Sequence, residues 1–520
     1  MFKQKSQLWL AVMFFGILAS YLLLLTTNYY WDGIFFAQVI EDAPGLDASL
    51  LHPNHLLYNV VGYLAFRLAR ILAPQARAVE VLQISNCIIS AMTAYVLFRI
   101  LRICFKSLYL SVTLTLLFAF SATWWKFSTD ADSYILSVFF LLVSSYLILP
   151  SRKPKPFWLA VSFSLSMLFH QLAIFFFPVA VLGLLMQTHD EPMRHRLGSV
   201  LKFAFGALLV TLPMFCYSFY LVTGSWALKP FLLWITTFSP ENGFTFNAWN
   251  NLGYTLRGHS RLFVGGRLSF LRDLMGPLMD TLVGFLFVIA GIFFYKLISN
   301  FKEVRIAART ALTDDGRLKQ LRILCCVWIA VYLVFLFFFI PQNTFYRLFY
   351  APAIIVLVGT FLAPYELSQQ HMRRYRTALF VAMVIVANLT FSAYPYARVS
   401  TNPPLELALK MNQVWKPGTI VYFATWNSDN ALVKYFNPSV TWVEANQKGL
   451  EAELGQSIRN GRPVWIDTTL IQRMQEIPEG KGWLETHTIH VPDYEVVNSK
   501  YRLQFFKINP ESFAPELAKP

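Results

Sequence analysis

Long apolar runs separated by short polar breaks make up most of the chain before Pro395. They fall at Leu8 to Thr26, Val79 to Phe98, Leu108 to Trp125, Tyr134 to Leu149, Phe157 to Phe169, Leu172 to Met186, Val200 to Val222, Thr281 to Ile298, Ile323 to Ile340, Phe349 to Leu362 and Ala378 to Phe391. An α-helix crosses hydrocarbon in about 20 residues, so the pattern predicts an all-α polytopic membrane protein with about eleven transmembrane helices. The two runs flanking His170 are short and nearly fused, which predicts a tight helical hairpin with its tip at or below the membrane surface. No small-residue cleavage site follows the first run, which reads as an uncleaved helix rather than a signal peptide.

The segment His52 to Leu72 needs arbitration. As a span it would carry Arg67 and Arg70 and reverse every later loop, so an interfacial helix on the outer face fits better. With His52 as cap and Pro53 at the first helical position, His52, His55, Asn59, Tyr63, Arg67 and Arg70 recur at three- and four-residue steps as one polar stripe. Leu56, Leu57, Val60, Val61 and Leu64 are then expected at the lipid boundary.

After Pro395 the period changes. TIVYFATW, VTWVEAN, PVWIDTTL and YRLQFFKI read as strands, and NSDNALVKYF and KGLEAELGQSIRNG as helices between them. We therefore expect a transmembrane domain over 1–396 and a small extracytoplasmic α/β domain over 397–520. The latter has no glycine-rich turn after its first strand, so nucleotide binding is unsupported. His487 and His490 in THTIHV are expected on opposite faces of a strand, as surface residues rather than paired ligands. The chain shows no internal repeat and no low-complexity segment.

Composition agrees with the pattern. Hydrophobic residues make up 56% and charged ones 14%, and mean hydropathy is +0.47, too apolar for one large soluble core. The net charge of +15 reports which loops face the cytoplasm rather than nucleic acid, for which there is no binding pattern. With a cytoplasmic N-terminus, the inner loops collect Lys3, Lys5, Arg99, Arg102, Lys106, Arg152, Lys153, Lys155, Arg194, Arg196, the cluster Lys302 to Arg322, and Arg373, Arg374 and Arg376. The segment after the first span, the Trp226 to Leu278 loop and the C-terminal region then face outward. The five cysteines lie in or beside apolar runs and imply neither a disulfide framework nor a zinc site. The sequon NPS at Asn437 has proline in the excluded place and NLT at Asn388 lies in a span, which favours a bacterial inner membrane.

Candidate chemistry gathers at the outer ends of spans. Asp32 in YYWDG follows the first span, where aromatic neighbours would raise a carboxylate toward the range of a useful general base; the alternative is a solvated loop aspartate. ATWWKFSTDADSYILSVFF puts Asp130 and Asp132 at a second outer boundary, and SLSMLFHQLAIFFF puts His170 at a third.

In this order the motifs resemble those of the polytopic GT-C glycosyltransferases, most nearly the branch of the transmembrane protein O-mannosyltransferases and their bacterial relatives. The shared features are an acidic residue after the first span, a histidine-proline motif opening a helix (LHPNHLLYNVVGYL), an acid-x-Tyr motif before the fourth span (WWKFSTDADSYIL) and a histidine in the next hairpin (FHQLA). FYRLFYAP matches more loosely. The chain departs from the pattern at Asn54, where a second proline is usual, and at Asp132, where glutamate is more common.

The resemblance implies an inverting transfer of a sugar, a hexose and by family mannose, from a polyprenyl-phosphate carrier to a glycan, lipid or protein acceptor on the outer side. Asp32 would take the acceptor proton and Asp132 would assist, while the phosphate leaving group needs charge stabilisation. Arg347 in QNTFYRLFYAP reads either as a phosphate ligand or as an interfacial arginine reaching for headgroups. Lys126, Arg257, Arg261 and Arg267 are lesser candidates, and His52, His55, Asp130 and His170 are expected to bind substrate. Imidazole and carboxylate here suit zinc or manganese, but arginine can stabilise a singly charged phosphate carrier, so no metal or other cofactor is expected. Two readings of other classes stand beside this one: a transporter or flippase of lipid-linked glycans, and an envelope scaffold or sensor using its C-terminal domain.

Overall fold

The computed structural model describes residues 2–150, 152–188, 190–236, 243–266, 281, 285, 288, 316–367, 372–445, 449–497 and 502–513. The chain divides into two compact units, Met1–Thr26 with Val39–Pro395, and Thr27–Gln38 with Tyr396–Pro520.

The first unit is built from helices: α1 (Phe2–Leu23), the end of α2 (Trp31–Asp42), α3 (Tyr58–Leu72), α4 (Ala78–Phe105), α5 (Leu108–Ala119), α6 (Ala122–Ser128), α7 (Tyr134–Leu147), α8 (Pro156–Phe169), α9 (Phe177–Gln187), α10 (Met193–Thr223), α11 (Leu228–Thr236) and α12 (Ala248–Phe263), followed by Gly316–Phe338, Ala351–Leu367 and Met372–Asn388. By length and composition α4, α10, Gly316–Phe338 and Thr377–Tyr396 suffice to cross a membrane, and Leu10–Leu23, α7, α8, Gln171–Gln187 and Ala351–Ala363 are shorter apolar helices. The protein is a multi-pass membrane protein. The expected span Thr281 to Ile298 lies outside the described residues, so the number of spans stands for the others alone.

Two expectations for this unit need correction. The run Leu108 to Trp125 is not one straight helix: α5 and α6 meet at a 66° bend. Side chains take over the opened ladder there. Tyr21 Oη donates to Ala119 O at 2.6 Å, and Asn388 Nδ2 donates to Phe120 O at 2.8 Å and to Phe263 O at 2.7 Å. Asn388 Oδ1 also accepts from Gly265 N at 3.2 Å, so one buried amide joins the bend to the end of α12. A π-helical turn, Leu389–Ala393, follows directly. Replacing Asn388 with leucine strands buried backbone groups, and we expect a loss of about 2–4 kcal/mol. A thermal midpoint in detergent unchanged from wild type would contradict this.

The second correction concerns the interfacial helix. A single 3-10 turn, Pro53–His55, comes first, and α3 starts only at Tyr58. The cause is tertiary: Leu57 N donates to Leu168 O at 3.0 Å, and Leu56 is buried with Leu168 and Phe215 rather than facing lipid. Beyond that point the amphipathic reading holds. Val61, Leu64, Leu68 and Ile71 are exposed along one ridge, and Asn59 and Tyr63 are buried on the other side.

The second unit carries a six-stranded sheet of β1 (Ile420–Phe423), β2 (Thr441–Glu444), β3 (Val464–Asp467), β4 (Thr488–Ile489), β5 (Glu495–Val497) and β6 (Arg502–Ile508), in the order β2-β1-β3-β6-β4, with β5 on β6. β1 pairs in parallel with β2 and β3, Ile420 lying opposite Thr441 and Val464, and β6 runs antiparallel to β3. Alternation divides the side chains between two cores. Ile420, Tyr422 and Ile466 pack with Leu454 and Leu470, while Val421, Trp465 and Phe505 pack with Met411 and Val433.

The strand expected at THTIHV shrinks to Thr488–Ile489. His487 instead ends the helix Gly480–His487 with its ring stacked on Trp483, and His490 pairs with Glu495 at 3.2 Å. Thr27–Gln38 is tied into this unit. Thr27 N donates to Tyr396 O at 2.7 Å, Asn402 Nδ2 donates to Thr27 O at 2.7 Å, and the rings of Tyr29 and Phe436 lie 5.9 Å apart.

Candidate active site

Three histidines from two separate segments meet in the first unit. His52 caps the 3-10 turn, its Nδ1 accepting from Asn54 N at 3.3 Å. His170 caps Gln171–Phe176 in the same manner, Nδ1 accepting from Leu172 N at 3.1 Å. His55 stacks on His52 with centroids 5.4 Å apart and meets His170 edge-on at 4.6 Å. Its Nδ1 lies 3.0 Å from Ser133 Oγ, next to Asp132.

A backbone N–H can only donate, so Nδ1 of His52 and His170 is an acceptor, and each neutral ring carries its proton at Nε2. Burial pushes His52 down to about 4 and His170 to about 3, His52 adding to the second shift, and His55 falls well below its ordinary range through burial and both neighbouring rings. His52 and His170 are thus neutral Nε2–H donors rather than bases, and His55 is held neutral between them, bonded to Ser133 and to the Phe169 backbone. Among the described residues, no group of three or more His, Cys, Asp or Glu side chains is placed to hold a metal ion.

These shifts have a signed consequence. Above the ordinary histidine value of 6.5 the rings are neutral folded or unfolded, and they add nothing to the pH dependence. As pH falls below 6.5 the unfolded chain binds protons that the folded one refuses, down to about 4 at His52. We expect a thermal midpoint level from pH 8 to 7 and falling through pH 6 to 4, with a shallower fall in His170→Gln. Equal slopes in the two proteins would overturn the assignment.

Aromatic rings surround the cluster. Tyr134 and Phe349 lie 5.1 Å from His170, Phe345 lies 5.0 Å from Tyr134, and Phe127 lies 5.4 Å from Tyr134. They come from the ends of α6 and α7 and from the 3-10 turn Phe345–Phe349. Asp130 and Asp132 are both fully buried in the loop between α6 and α7. Asp130 Oδ2 pairs with Lys126 Nζ at 2.5 Å, while Asp132 Oδ1 accepts from Ser133 N at 2.6 Å.

Sequence reasoning missed what holds this loop. Asn86 Nδ2 on α4 donates to both Asp130 O and Asp132 O at 2.7 Å, and Gln83 Nε2 donates to both Thr26 O and Thr129 O at 2.8 Å. The available signal was two amides inside an apolar run, where unpaired polar groups are costly.

Arg347 is 1% exposed and turned inward. Nη2 donates to Pro341 O at 2.8 Å and Nη1 to Asn343 O, leaving Nε without a partner among the described residues. Gly258 of α12 makes room for it, since a Cβ there would run into the guanidinium. Tyr350 Oη donates to His259 Nε2 at 3.0 Å, because the other ring nitrogen is spent on Thr255 O at 2.7 Å. Arg257 and Arg261 are exposed on α12, and Arg267 lies outside the described residues. Asp32 sits half-buried in the first turn of α2, in the second unit.

No protein-family model and no curated relative matches the chain. Solved structures do. ArnT from Cupriavidus metallidurans bound to undecaprenyl phosphate superposes with a TM-score of 0.59 at 11% identity, over 98% of this chain and 99% of that one. The same protein in the apo state gives 0.60 at 11% identity, over 99% and 100%. This chain therefore shares the fold of ArnT along nearly its whole length; the likeness does not extend to a choice of glycosyltransferase branch.

Proposed function

We propose that this protein is an inverting glycosyltransferase that moves a sugar, a hexose such as mannose, from a polyprenyl-phosphate carrier to an acceptor hydroxyl on the extracytoplasmic face. The observation that carries this is the sharing of a fold, over nearly the whole of both chains, with a protein that binds undecaprenyl phosphate. Asp32 takes the acceptor proton as the hydroxyl oxygen attacks the anomeric carbon, and the carbon–phosphate oxygen bond breaks with its electron pair leaving on the carrier phosphate. Lys126 and Arg347 supply positive charge near the leaving group, Arg347 through its unpartnered Nε. Neutral His52 and His170 donate hydrogen bonds that orient hydroxyls, His55 braces both rings against Ser133, and Asp132 holds Ser133 and the adjoining loop for that work.

The test is transfer of radiolabelled sugar from polyprenyl-phosphate-mannose and polyprenyl-phosphate-glucose by purified protein, with membrane extract as acceptor source. Label moving into an acceptor supports the proposal. Carrier-linked glycan crossing proteoliposomes without transfer would replace it with the flippase reading. The bent pair α5–α6 is the sole one among the described residues, whereas a transporter built from repeats pairs its broken helices.

A further inference from the structure

We propose that Gln83 and Asn86 are positioning residues for this transfer, an amide rail on α4 that sets the register of the loop bearing Asp130 and Asp132 against the end of the first span. The inference rests on the glycosyl transfer proposed above. Both amides are nearly fully buried and lie three residues apart, on one face of the helix.

An amide NH₂ has two hydrogens, and each is spent here on a different backbone carbonyl. Gln83 bridges Thr26 to Thr129, whose own backbone is joined by Thr26 N donating to Thr129 O at 3.3 Å. Asn86 bridges Asp130 to Asp132, so the loop carbonyls on either side of Ala131 are held by one side chain. These residues carry no regular secondary structure, and their carbonyls are the groups a helix or sheet would otherwise satisfy. Thr26 is also the point from which the chain leaves the first unit toward Asp32. One helix thereby sets both the loop that places Ser133 beside His55 and the departure point of the segment that carries the proposed base.

The test uses the full chain in nanodiscs. Gln83→Met keeps side-chain length and removes the amide, and Asn86→Leu does the same at the second position. Each is expected to lower kcat by about tenfold to hundredfold while leaving the donor KM within about twofold, because geometry is lost and binding kept. Amide hydrogen exchange over Thr129–Ser133 should quicken in both variants, whereas Thr93→Ala, on the same helix two turns on, should leave kcat and that exchange unchanged. Folded variants with kcat within twofold of wild type overturn the proposal, as does failure of both to fold under any condition, since the role is then structural alone. If wild type transfers nothing, the glycosyl-transfer reading fails, while the exchange readout still decides whether the rail holds the loop.

Discussion

Asp32→Asn is expected to lower sugar transfer by about a hundred- to ten-thousand-fold, or about 3–5 kcal/mol in the barrier, without loss of folded protein. Asparagine keeps the shape of the side chain and removes its ability to take a proton. An acceptor hydroxyl is a poor nucleophile until that proton leaves, whereas the carrier phosphate departs readily. The loss should therefore fall on kcat, with donor binding retained. Asp32 sits in the first turn of α2, where the helix start favours a carboxylate by only about 0.3–1 kcal/mol, so the neutral amide costs the fold no more than that. A variant that transfers at more than about a tenth of the wild-type rate would remove Asp32 from the role of base.

The second large effect is expected at Arg347. Its guanidinium is planar and spans the carbonyls of Pro341 and Asn343 while meeting Tyr350, and lysine offers a single ammonium that cannot reproduce the fork. Arg347→Lys leaves at least one of those buried carbonyls without a partner and loosens the turn that sets Phe349 and Tyr346 against His170. We expect kcat/KM to fall by about a hundredfold, near 2.7 kcal/mol, with a thermal midpoint lower by several degrees. Parallel measurement of both quantities is decisive. Activity within threefold of wild type would show that neither the inward contacts nor the free Nε matters to transfer.

The apolar runs were legible because hydropathy and length are properties of neighbouring residues. The short apolar runs IVYF and VWID, with RLQFFKI, gave away three buried strands for the same reason, and the order of acid, histidine-proline, acid-x-Tyr and histidine motifs pointed to the GT-C fold. What was local in THTIHV was too weak to hold. A two-residue strand survives there, since the helix Gly480–His487 runs on until His487 stacks on Trp483.

Hydropathy therefore determined by itself that this is a multi-pass membrane protein with an α/β region after its helices, and motif order pointed to its fold. Only the tertiary structure decided that α5 and α6 bend, that Arg347 faces inward, that His52 and His170 carry their protons at Nε2, and that Gln83 and Asn86 hold the aspartate loop. Each of these depends on the partner a polar group finds, and the partners are remote in sequence: Asn388 reaches Phe120, Gln83 reaches Thr26, and Gly258 yields to Arg347. A single amide in an apolar helix leaves no periodic trace. Its role is set when packing excludes water and leaves a distant carbonyl as the acceptor within reach.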